Sequence, residues 1–166
     1  ADTWNLDGLT VDPAVLAECS SALRSGHWTV TAAVRDGSRI VGVRPGFTDH
    51  AFGLAIDVGS TTLAAHLVNL ADGSVPATAS AMNPQIRFGE DLMSRISYAM
   101  DQDRGADEMT AAVRAALNEL AGQAAAEAGV ERGDIYETVI VGNPIMHHLV
   151  LGLNPEPLGV APFALA

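Results

Sequence analysis

The stretch Phe52-Gly-Leu-Ala-Ile-Asp-Val-Gly-Ser-Thr-Thr-Leu-Ala-Ala-His-Leu-Val-Asn-Leu70 decides the fold. Phe52 to Val58 is an apolar run interrupted by Asp57, the pattern of a buried strand, and Thr62 to Leu70 alternates apolar and polar positions as a second strand does. The glycine-hydroxyl turn between them leads directly from one strand into the next. Val75 to Met82 reads as a third strand, and Asp72-Gly73 before it suits a tight turn, so the three are expected to form an antiparallel meander. Three helices are expected after it. The first covers roughly Gly89 to Asp103, and the second runs from near Asp107 to Ala128. That second helix carries Met109, Val113, Ala116, Leu117, Leu120 and Ala124 on one stripe and has Gly129 as its stop. A short strand, Thr138 to Gly142, precedes Asn143-Pro144, which caps a third helix through about Leu151.

Upstream of the meander, Asp12 before Pro13 gives an N-cap with proline at the first helical position. Val15, Leu16, Cys19 and Leu23 then recur at helical spacing until Gly26. Trp28 to Val34 and Arg39 to Val43 flank Asp36-Gly37, a dipeptide suited to the positive φ of a hairpin turn. This gives a small αββ unit. Residues 44–51 hold Pro45, Gly46, Asp49 and His50 without periodicity, and the domain boundary is expected there.

With 166 residues, 48% of them hydrophobic and 5% aromatic, the chain has enough apolar surface for a core of closely packed alanine-rich helices on a sheet. The net charge of −11 opposes nucleic acid as a partner. All nine basic residues are arginines, so a lysine-dependent P-loop and Schiff-base chemistry are excluded. A single cysteine, Cys19, allows neither an internal disulfide nor a four-cysteine cluster. No apolar run is long enough for a bilayer span, and the expected location is a reducing, cytoplasmic compartment without membrane partners.

The chemistry is concentrated in Ile56-Asp57-Val58-Gly59-Ser60-Thr61-Thr62. Glycine allows close backbone approach to a ligand, successive N–H groups in such a turn can form an anion-binding nest, and three hydroxyls add donors. Asp57 is then the candidate metal carboxylate, facing phosphates through Mg²⁺ and ordered water. The plain structural alternative is an ordinary hairpin turn whose aspartate accepts local backbone bonds. Against it stands the cost of an unpaired charge within a buried apolar run.

These residues resemble the first phosphate motif of the acetate and sugar kinase, heat-shock chaperone and actin (ASKHA) superfamily, whose domains are ribonuclease H-like. Gly53 to Thr62, Asn83-Pro-Gln-Ile-Arg-Phe-Gly-Glu-Asp-Leu-Met-Ser-Arg-Ile96 and Val141-Gly-Asn-Pro-Ile-Met-His-His-Leu149 are, more narrowly, similar to the reductive activators of corrinoid-dependent enzymes. The likeness covers roughly residues 28 to 166 and keeps the family's order. It implies an α/β architecture in which residues 1–48 are a small middle or linker module and residues 49–166 the N-terminal half of an ASKHA-type ATPase domain. It also implies ATP and Mg²⁺ as cofactors and a corrinoid-dependent methyltransferase or corrinoid protein as partner, with a homodimer left open. In that family an iron–sulfur [2Fe–2S] ferredoxin domain delivers electrons, and ATP drives Co(II) corrinoid to Co(I). The family's cluster cysteines would precede Ala1, and its second phosphate motif and adenosine segment would follow Ala166. The chain is therefore expected to be a fragment that neither hydrolyses ATP nor carries electrons by itself.

Glu90 and Asp91 are candidate catalytic carboxylates that position water or metal, against a helix-start role in which acids favour the macrodipole. Arg95 is expected to pair with Asp91 four residues earlier. Asn143 is a candidate contact to nucleotide, beside Gly59, Ser60, Thr61 and Thr62, or to a partner, against simple capping. His147 and His148 are adjacent on a helix and point about 100° apart, a poor arrangement for one ion. Cys19 and the five methionines read as core or interface residues. Competing functions are a small-molecule kinase of the same superfamily and a non-enzymatic, nucleotide-responsive partner-binding module.

Overall fold

The structure, a computed structural model, describes residues 6–163. The chain divides into two compact units, residues 1–51 and 52–166. In the first, β1 (Thr10–Val11) precedes α1 (Pro13–Ser25), followed by β2 (Val30–Arg35) and β3 (Arg39–Pro45). The sheet order is β1-β3-β2, with β1 parallel to β3 and β2 antiparallel to it. Asp12 caps α1 by accepting from Ala14 N at 3.2 Å, and its other carboxylate oxygen accepts from Arg39 at 2.7 Å. Asp36 and Gly37 both take positive φ, 51° and 66°, in the hairpin turn.

Two expectations about this unit are corrected. Leu16 is 59% exposed, and the buried positions of α1 are Val15 and Ala22, so the covered stripe is rotated away from Leu16. Trp28 does not begin a strand. Its N–H closes the end of α1 on Leu23 O at 2.7 Å with φ at 68°, and the strand starts at Val30.

The second unit contains β4 (Phe52–Val58), β5 (Thr62–Asn69), β6 (Ala77–Met82), a 3-10 helix (Pro84–Phe88), α2 (Leu92–Asp101), α3 (Gly105–Ala128), β7 (Ile135–Gly142) and α4 (Pro144–Leu151). Its sheet runs β6-β5-β4-β7, with the meander antiparallel and β7 parallel to β4. This is the expected α/β architecture, with β7 longer by three residues at its start than the sequence indicated.

Strand alternation gives the sheet two unlike faces. Leu54, Ile56 and Val58 of β4, Leu63, Ala65 and Leu67 of β5, and Ala77 and Ala79 of β6 are buried in one core. The helices supply Met109, Val113, Leu117, Leu120, Met146 and Leu149 to that core. The five α3 positions Met109, Val113, Leu117, Leu120 and Ala124 are all buried, and Gly129 ends the helix in the left-handed conformation at φ 68°. The other face carries Asp57, His66, Thr78, Val139 and Val141, all exposed. Asp57 therefore occupies the uncovered face of an otherwise buried strand, and the cost of a buried charge does not explain its presence. Among the described residues no helix is long and apolar enough to cross a membrane.

Candidate functional site

Because β7 is parallel to β4 and pairs Gly142 with Val58, the turns that follow the two strands lie side by side. The approach is close: a Cβ on Gly142 would stand 2.9 Å from Val58 O. One edge of the sheet thus gathers Asp57, the Gly59–Thr62 loop and Asn143. Carboxyl ends of parallel strands are where open α/β sheets bind ligands.

The loop is held from behind through its carbonyl groups. Gly59 N–H donates to Thr62 O at 3.0 Å, closing the turn. Gly59 O accepts from Asn83 Nδ2 at 2.8 Å, Ser60 O from Arg95 Nη2 at 2.6 Å, and Thr61 O from Asn83 N at 2.7 Å. A trans peptide is planar and its C=O and N–H point in opposite directions. Holding the Gly59 and Ser60 carbonyls inward therefore turns the Ser60 and Thr61 N–H groups outward. Neither N–H meets a protein acceptor among the described residues. Outward amides on a turn at a strand end are an anion nest in form.

Nothing in the local sequence around Asn83 or Arg95 marks either as a site residue. Asn83 is 1% exposed and divides its amide between two jobs. Its Oδ1 accepts from Gln85 N at 2.9 Å, capping the 3-10 helix, while Nδ2 reaches the loop. Gln85, also fully buried, donates through Nε2 to Met109 O at 3.0 Å and ties that short helix to α3. Arg95 is 0% exposed. Besides Ser60 O, its guanidinium donates to Gly89 O at 2.9 Å and lies 3.6 Å from the Met146 sulfur.

The expected Arg95–Asp91 pairing is replaced by these carbonyl contacts, because Asp91 is committed to its own helix. The Asp91 carboxylate accepts from Ser94 N at 2.8 Å, and Ser94 Oγ accepts from Asp91 N at 3.2 Å, which completes a capping box. The Ser94 backbone bond holds the Asp91 carboxyl below the usual carboxylate range, with the Ser94 side chain and Arg95 charge contributing less. Glu90 is exposed beside it. Asn143 caps α4, its Oδ1 accepting from Met146 N at 3.0 Å, and its Nδ2 meets no protein acceptor among the described residues.

The histidine pair is split as helix geometry requires. His147 is exposed, whereas His148 is 5% exposed with Nδ1 2.8 Å from Pro144 O. Met109 and Met146 are in the core, while Met82, Met93 and Met100 are on the surface. Among the described residues no three His, Cys, Asp or Glu side chains are grouped to hold a metal ion. Asp57 alone suits only a cation carried largely by phosphate and water, which is how Mg²⁺ is commonly bound.

The family model for the RACo middle region matches residues 52–166, and that for the RACo linker region matches residues 1–50. The chain belongs to the RACo family. It is 38% identical over 112 residues to the corrinoid activation enzyme RamQ of Eubacterium limosum, a match covering 68% of this chain and 19% of RamQ. It also superposes on a solved structure described as a reductive activator for corrinoid, iron-sulfur protein. There the TM-score is 0.78 at 36% identity, over 95% of this chain and 26% of that one. The chain thus spans a fifth to a quarter of the length of these relatives. RACo membership and the shared fold account for the three motif segments occurring in order.

Proposed function

We propose that this chain is a segment of an ATP-dependent reductive activator that returns the Co(II) corrinoid of a methyltransferase or corrinoid protein to Co(I). Residues 1–48 are its linker module and residues 49–166 the N-terminal half of an ASKHA-type ATPase domain. The single observation that carries the nucleotide reading is the loop whose carbonyls are bound inward and whose Ser60 and Thr61 N–H groups face outward. Those amides bind phosphate oxygens, with the hydroxyls of Ser60, Thr61 and Thr62 as further donors. Asp57, on the uncovered sheet face, would hold the Mg²⁺ that accompanies the phosphates, and Asn143 Nδ2 would be a donor from the adjacent turn. Glu90 is free to orient water, whereas Asp91 contributes by fixing the start of α2.

Bound ATP supplies the free energy for an uphill electron transfer, and domain movement couples the two. The electrons come from an iron–sulfur domain elsewhere in the full-length protein, since one cysteine cannot ligate a cluster that needs four. The names of RamQ and of the matched structure support the corrinoid partner.

The test uses the full-length protein with a corrinoid protein, following Co(I) by its absorbance. Co(I) is expected only when ATP and reductant are both present. Asp57→Ala should abolish ATP turnover while changing stability by no more than about 0.5 kcal/mol, as for an ordinary exposed position. Retained turnover with a lowered thermal midpoint would make Asp57 a turn residue and overturn this reading.

A further inference from the structure

We propose that Arg95 is both the positioning residue of the Gly59–Thr62 loop and the buried cation that complements a phosphate bound on the loop's outer side. The inference rests on the reading of that loop as a nucleotide-phosphate site, and it starts from an energetic imbalance. Arg95 is fully buried, yet its guanidinium contacts are neutral: Ser60 O, Gly89 O and the Met146 sulfur. Guanidinium stays charged in proteins, and an ion withdrawn from water without a hydrogen-bonded counter-ion is among the least favourable groups to bury. Burial accordingly pushes the Arg95 pKa down, and the more distant Asp91 charge opposes that only in part.

A fold that needed only packing at this point would do as well with an apolar side chain of similar volume. What a methionine could not supply is charge. None of this chain's own residues is a lysine, so within these 166 residues no flexible ammonium can reach into the loop from the front. Arg95 places a fixed positive charge directly behind it, one peptide group away from the outward Thr61 N–H. The bond from Nη2 to Ser60 O also polarises the Ser60–Thr61 peptide, which makes the Thr61 N–H a stronger donor. The same guanidinium holds Gly89 O, so the loop and the start of α2 share one anchor. Asn83 performs the neutral part of this task on the Gly59 and Thr61 carbonyls.

The experiment measures MgATP affinity and thermal midpoint on the full-length protein with Arg95→Met, Arg95→Gln and Arg95→Lys. Arg95→Met removes charge and donors, Arg95→Gln keeps a donor without charge, and Arg95→Lys keeps the charge. A thermal-midpoint loss in all three is expected from the lost carbonyl contacts. MgATP affinity should separate them: about tenfold or more weaker for the two neutral variants, and within about threefold of wild type for the lysine. Neutral variants that bind MgATP as wild type does would overturn the proposal. So would a lysine variant as weak as the neutral ones, because the contact would then be a mechanical clamp. If Arg95→Met does not fold, the glutamine–lysine comparison decides. Wild-type protein that fails to bind MgATP at all would refute the phosphate-site reading itself, a result distinct from either of these.

Discussion

Gly59→Ala tests the loop at its tightest point. A Cβ built on Gly59 stands 2.6 Å from Thr62 O, a backbone atom that cannot swing aside as a side chain could. The turn must open, which stretches the 3.0 Å bond from Gly59 N to Thr62 O and disturbs the 2.8 Å bond from Asn83 to Gly59 O. Overpacking of this kind costs about 1–3 kcal/mol, and a weakened buried hydrogen bond adds about 1 kcal/mol. The expected loss is therefore about 2–4 kcal/mol, or a fall in thermal midpoint on the order of 10 °C. Gly73→Ala is the natural comparison, since Gly73 sits at φ 75° with nothing within 4 Å of a built Cβ. It should cost only the left-handed penalty of about 1 kcal/mol. Urea titration followed by far-UV circular dichroism suits the measurement, because α3, with 24 residues, lies in the same unit as both glycines. If Gly59→Ala were as mild as Gly73→Ala, the closed turn would not be the conformation that matters, and the outward amides would lose their explanation.

Leu120→Ala, at a position 1% exposed under the sheet, should cost about 2–5 kcal/mol, whereas Leu16→Ala, at 59% exposure, should stay within about 0.5 kcal/mol. Equal effects in chemical denaturation would contradict the rotated stripe of α1. Acid should weaken the fold through carboxylates that accept local hydrogen bonds, two at helix N-caps and Asp72 in the turn between β5 and β6. Asp12, Asp72 and Asp91 all have folded pKa values below the ordinary 3.8, held down chiefly by the Ala14 backbone, the Ser74 hydroxyl and the Ser94 backbone respectively. Their contribution is fully present above that ordinary value and is lost as the pH falls through the depressed folded value. Urea midpoints measured across that range should fall with pH, and Asp91→Asn should make the decline shallower; an unchanged slope would remove Asp91 from the linkage.

Local chemistry made much of the fold readable. Asp36-Gly37 and Asp72-Gly73 marked turns, Asp12-Pro13 and Asn143-Pro144 marked helix starts, and the period of α3 picked out its buried face. These signals depend on residues within a few positions of one another. The two-residue strand β1 has no such signal, because it exists only through its parallel pairing of Thr10 with Arg39 and Val11 with Ile40. The apolar neighbours of Asp57 predict a buried environment for it, but alternation sends it to the opposite face.

The limit is clearest in the three Asn-Pro pairs of the second unit. Asn83, Asn143 and Asn154 each accept a backbone N–H two or three residues ahead, at 2.9, 3.0 and 3.0 Å, so the local rule reads all three alike as caps. The other half of each amide separates them. Asn154 Nδ2 turns to nearby Glu156 at 3.5 Å, Asn143 Nδ2 is left at the sheet edge, and Asn83 Nδ2 crosses 24 residues of sequence to hold Gly59 O. Arg95 makes the same kind of crossing, 35 residues back to Ser60, in preference to the aspartate four residues away. Pairing rules for neighbours along a helix assume that both partners are free, and Asp91 is not, because Ser94 already occupies it. The side chains that shape the loop are thus those whose local bonding is either complete on one side or blocked. A cap with a spare amide and an arginine whose helical partner is already engaged are therefore the sequence features from which such a buried support could be sought.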